Sequence, residues 1–193
     1  MSAYSDIRDE VFGFTNRSDL AAETDFAIKQ AIRAAHKLGT FWRDLVKLEL
    51  TSLATDQLQS LDMSTLAPDF KQVAIIGPTG QDLQYEPIQI TELYDQDRYA
   101  RTDVYYGIGT NLMIRAANPA SELTLVYYKL PNINPISSTT SWIAEMYPDL
   151  ISLWASATIL NMVGEQEVRQ RVESLAGIAV KGLIEDNTTI VRR

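Results

Sequence analysis

Residues 126–150 read VYYKLPNINPISSTTSWIAEMYPDL. Two regimes meet in this stretch. On its N-terminal side Leu123, Leu125 and Tyr127 alternate with Thr124, Val126 and Tyr128, the mark of a strand with one inner row. Pro131 and Pro135 break the chain, and polar residues carry it to Thr140. On the C-terminal side Leu150, Leu153, Trp154, Ala157 and Leu160 recur at helical spacing behind Pro148, a residue accepted in a first helical turn. The period changes from two to 3.6, so a β region closes here and a helical region opens.

The reverse change occurs near residue 40. Ile7, Val11 and Phe14 fall at helical spacing, with Ser5 as the expected cap of this first helix. Ile28, Ala31, Ile32 and Ala35 mark the buried stripe of a second helix that Gly39 closes. Val46, Leu48 and Leu50 then alternate with Lys47, Glu49 and Thr51. Further strands are expected over 71–76, 83–90, 104–108 and 112–115, with turns at GPTG (77–80) and GTN (109–111). A helical turn or two is expected over 91–99. The short connections favour antiparallel order. Beyond Gly164 a last helix is expected, with Val168, Val172, Leu175, Ala179 and Leu183 on one stripe. The fold class is therefore α+β: a helical bundle from 1–45 and 141–186, an antiparallel β lobe inserted over 46–140, and a short tail over 187–193.

Composition narrows the function. The 193 residues hold 25 Asp and Glu against 17 Lys and Arg, a formal net charge of -8, which is a poor footprint for gripping nucleic acid. With no cysteine, thiolate nucleophiles and Cys-based zinc sites are excluded. The start, MSAYSDIRDEVF, carries acids where a secretory signal needs positive charge, and no window is apolar enough to span a membrane; a soluble intracellular product is expected.

Catalytic sets are hard to assemble. His36 has no triad or metal partner in sequence and reads as a surface or packing residue. Glu92, Asp95 and Asp97 cluster, and a hydrolase would need two such carboxylates facing one cleft; solvated charges are the plainer reading. Tyr94, Tyr99, Tyr105 and Tyr106 could form a platform for sugar or nucleic acid, or could fill β pleats. Phe41–Trp42 reads as a core plug joining the helical and β parts. Trp142 and Tyr147 stand beside the loop as either core or anchors at a subunit contact, where Trp and Tyr are enriched.

The order of features carries one resemblance. A helix pair leads into FW; a β region ends in NLMIRAANPASELTLVYYKLP (111–131); a loop follows; then YPDLISLWASATILNMVGEQEVRQRVESLAGIAVKGL (147–183). This resembles the head-to-tail connector, or adaptor, proteins of tailed bacteriophages, and most closely the tail tubular protein A type of short-tailed phages. Asn118-Pro119, Tyr127-Tyr128, Pro131, Pro148-Asp149-Leu150 and Glu165-Gln166-Glu167 stand where that family carries its turn, tyrosine, proline, helix-start and acidic elements, and Gly80 to Tyr85 echoes its entry to the β lobe. The resemblance covers roughly residues 19–186. It implies a non-enzymatic virion protein of the neck, made in the host cytoplasm. It implies a homo-oligomeric ring, of twelve subunits in related connectors, between the portal protein and the tail or nozzle protein. DNA would pass through its channel without specific binding, with no cofactor, metal or membrane involved. Tyr105, Tyr106, Tyr127, Tyr128, Trp142 and Tyr147 are the candidate interface aromatics. Ile190, Val191, Arg192 and Arg193 of the tail are candidates for portal contact, ordered on the partner by extended pairing or arginine contacts. A tail terminator or other tail-tube component is the alternative within the virion. A carboxylate-based hydrolase and a carbohydrate-binding module are the alternatives from other classes.

Overall fold

The computed structural model describes residues 3–93, 101–134 and 141–191. Its class is α+β, with six helices and two sheets among those residues. The chain divides into two units, Met1–Arg43 with Leu130–Arg193, and Asp44–Lys129.

The first unit is helical. It contains α1 (Ala3–Thr15), α2 (Ala21–Lys37), α4 (Trp142–Met146), α5 (Pro148–Val163) and α6 (Gln166–Val191), while the short α3 (Met63–Leu66) belongs to the other unit. α5 is the central element: α1, α2, α4 and α6 all pack on it. Leu150, Ile151, Ser152, Leu153, Ala155, Ser156, Ala157, Ile159 and Leu160 are buried, so the helix is covered on nearly every side, as its apolar composition requires. Gly164 ends it at φ 86, a left-handed cap that favours glycine. Ile7 and Val11 of α1, and Ile28, Ile32 and Ala35 of α2, meet α5 in the main core.

Local differences from the sequence reading have simple causes. α1 runs from Ala3, so Ser5 lies inside the helix and does not cap it. Phe14 is 47% exposed, and Thr15 takes the inward place one residue on. On α6 the buried positions are Val172, Ala176 and Leu183, while Leu175 is 52% exposed and Val168 39%. α6 faces α5 alone among its major contacts, and one helix neighbour covers a narrower stripe than the apolar residues span. The helix also continues through the segment set apart as a tail: the backbone is helical to Val191. β-branched residues lower helix propensity by only a few tenths of a kcal/mol each, roughly, and a helix already formed extends through them.

The second unit is built on two sheets. One has the order β1 (Leu45–Leu50), β7 (Leu123–Lys129), β3 (Phe70–Pro78); the other has β2 (Leu58–Asp62), β6 (Asn111–Arg115), β5 (Val104–Ile108), β4 (Glu86–Pro87). β7 is the middle strand of its sheet, pairing Tyr127 with Val46 on one side and with Val73 on the other. Leu123, Leu125 and Tyr127 are its buried row. They share a core with Leu61, Leu112 and Ile114 of the opposite sheet. Gly109, at φ 60, makes the two-residue hairpin loop between β5 and β6. Every pair is antiparallel except β4 with β5, which is parallel. The strand expected over 83–90 shrinks to Glu86–Pro87, and a 3-10 turn, Ile90–Glu92, opens the 91–99 region; residues 94–99 lie outside the described set.

Candidate functional site

The most concentrated chemistry in the helical unit surrounds Trp142. Ser141 caps α4, its Oγ accepting from the Ala144 amide at 3.2 Å, and this fixes where the indole enters. The Trp142 ring meets Phe41 edge-on at 5.3 Å, His36 at 5.9 Å and Tyr147 at 6.4 Å between centroids. His36 is buried, and its Nε2 lies 2.9 Å from Ser141 Oγ. It is a structural residue joining α2 to the cap of α4. Phe41 is 2% exposed and belongs to the helical core.

Arg43 extends this cluster to the surface. Its guanidinium lies 5.2 Å from the Trp42 ring centroid and 5.4 Å from that of Trp142, and Nη1 donates to Met146 Sδ at 2.6 Å. Two indoles and a thioether thus hold a planar cation in place, at an estimated ~0.5–1 kcal/mol per exposed cation–π contact. Trp42 is 43% exposed and Met146 50%. Beside them the Tyr147 hydroxyl donates to Asp186 Oδ2 at 2.7 Å, tying the start of α5 to α6. Burial first, then that bond, pushes the Tyr147 phenol up to about 12. The space enclosed by Trp42, Arg43, Trp142 and Leu183 is only ≈ 20 Å³, too small for a substrate. An exposed, pre-oriented arginine framed by Trp, Met and Tyr is suited to protein contact, where Arg and aromatics dominate binding energy and the fork accepts a carboxylate bidentately.

The other expected interface tyrosines divide by burial. Tyr106 and Tyr127 are each 6% exposed, and Tyr127 belongs to the core between the two sheets. The Tyr127 hydroxyl is used internally, donating to Asp69 at 3.0 Å. Tyr105 and Tyr128 are half-buried, and Tyr105 lies across from Ile114 on the core side of β5. Tyr105 lines a cleft of ≈ 780 Å³ with Phe70, Val73, Tyr85 and Pro87. The backbone at Ile190 and Val191 closes α6. Their side chains, and the whole of Arg192 and Arg193, lie outside the described residues, as do Tyr94, Asp95, Asp97 and Tyr99. Glu92 caps its own turn, accepting from the Gln89 amide at 3.2 Å.

Trp142 and Tyr147 were visible in the sequence as site candidates; Arg43 and Met146 were not. The available signal was Arg43 directly after an exposed Trp, and Met146 four residues beyond Trp142 on a capped helical turn. Among the described residues no group of three His, Asp or Glu could hold a metal ion, and no helix is long and apolar enough to cross a membrane. No protein-family model and no curated protein matches the chain.

Proposed function

We propose that this chain is a structural protein of the virion neck, an adaptor ring that joins the portal of the capsid to the tail and extends the DNA channel. One observation carries the reading. Both ends of the chain build a single helical unit, Met1–Arg43 with Leu130–Arg193, and the β unit Asp44–Lys129 is inserted between them. That is the order the adaptor resemblance implies. The Arg43 cluster supports it by offering an anchor for a portal, tail or neighbouring subunit. The net charge of -8 suits a channel in which DNA slides without sticking. The test is location. A tag on this chain, imaged on intact particles, is expected at the neck between capsid and tail. A tag on the tail tube would favour the tail-terminator reading, and its absence from particles would sink both.

The cleft of the β unit favours one reading from another class. Phe70, Tyr85 and Tyr105 line it beside Gln72, Gln84 and Glu86, a mixture of aromatic and amide groups suited to a sugar ring. Binding on a glycan array, abolished by Tyr105→Ala, would support a carbohydrate-binding module instead.

A further inference from the structure

The outer faces of α1 and α2 carry opposite charge in matching order. On α1, Asp6, Asp9, Glu10, Gly13 and Phe14 are all exposed. On α2, Phe26, Gln30, Arg33 and Lys37 form one exposed row at i, i+4, i+7 and i+11. The seam between the two helices consumes its own charges: Arg8 pairs with Asp25 at 3.2 Å, and Tyr4 donates to Asp25. Lys29, on the flank of the α2 row, bonds to Asn134 at 3.0 Å. Asp6, Asp9, Glu10, Arg33 and Lys37 make no ion pair among the described residues. Each row therefore repels itself at i, i+3 and i+4 spacing, and an opposite face would relieve both.

Each row also carries a phenylalanine that the fold leaves out, Phe14 at 47% and Phe26 at 60% exposure. Along α1 the order is acid, then Phe; along α2 it is Phe, then base. Laid antiparallel, the two rows bring acid to base and Phe to Phe. With the two phenylalanines opposed, Asp6, about 12 Å from Phe14, falls opposite Arg33, about 10.5 Å from Phe26, and this is the acid–base pair the register makes at the helical rise.

We infer that α1 and α2 are the two halves of a head-to-tail contact between copies of this chain. A contact between two different faces is heterologous and generates rings where the rotation closes. The contact itself rests on the two faces; only its closure into a ring rests on the neck reading.

The experiment uses the full chain and two folded variants, Arg33→Glu and Asp6→Lys, with circular dichroism confirming helix content. Mass photometry and sedimentation at low salt are expected to show wild-type assemblies that dissociate as salt rises. Each reversal alone should weaken self-association by about tenfold or more, since like charges then face each other. An equimolar mixture should reassemble by alternating the two. A wild-type monomer at low salt, or folded variants whose mixture stays monomeric, would overturn the contact. Alternating assembly by a protein that never engages portal rings would uphold the contact and remove the neck reading.

Discussion

Three tyrosines hold separate parts of the chain through aspartates: Tyr4 to Asp25, Tyr127 to Asp69 and Tyr147 to Asp186. Burial, then the carboxylate bond, pushes each phenol up to about 12, against an unfolded value of about 10. Because the folded value is the higher, these bonds stabilise fully below about pH 10 and are lost as pH rises toward 12. Unfolding midpoints measured from pH 9 to 12 should fall across that window. The Tyr4→Phe, Tyr127→Phe, Tyr147→Phe triple variant should start lower and fall less steeply; parallel curves would refute the assignment. At Arg43 the expectation is opposite in kind. Arg43→Ala should cost about 1–2 kcal/mol of stability, the loss of its two cation–π contacts, yet weaken partner binding by about 2 kcal/mol or more if the cluster is an anchor. At this scale sequence showed that β5 alternates, but not which face turns inward. Val104 and Tyr106 are the more buried, yet it is Tyr105 that shares the core face with Ile114 and packs on it, and a one-residue shift would have exchanged the two faces.

Elements were legible where a period ran uninterrupted. α2, α5, the inner row of β7 and the β5–β6 hairpin lie where the pattern puts them. Two others escaped for identifiable reasons. α4 is one capped turn, too short to express a period. The β4–β5 parallel pair depends on the long connection over 88–103, which supplies the crossover that parallel strands need. A turn glycine at the end of β3 proves to be a packing requirement. A Cβ on Gly77 would stand 2.2 Å from the Leu83 carbonyl oxygen, so Gly77→Ala should destabilise by about 1–3 kcal/mol or more in urea unfolding. In α5 the Ser156 hydroxyl is fully buried with no hydrogen-bond partner. Ser156→Ala removes that cost and improves helix propensity, and should stabilise by about 1 kcal/mol. A loss of stability there would mean the hydroxyl has a partner after all.

At the scale of the whole molecule, the two changes of period mark where the helical unit is interrupted. The sequence set the limits at 45/46 and 140/141, whereas the compact units divide after Arg43 and after Lys129. The second offset is the larger because contacts, not periodicity, place Ile133 in the helical core; a lone apolar residue between prolines carries no periodic signal. The C-terminus tests the assembly separately from the fold. Deleting residues 188–193 shortens α6 beyond Leu183, its last buried position among the described residues. Thermal stability should stay within about 0.5 kcal/mol of wild type while attachment to the portal weakens; unchanged attachment would free the tail from that role. The central claim is tested most directly by electron microscopy of the purified chain mixed with portal assemblies. A ring of this chain seated coaxially on the portal is the expected result; a monomer that leaves every portal bare would contradict it.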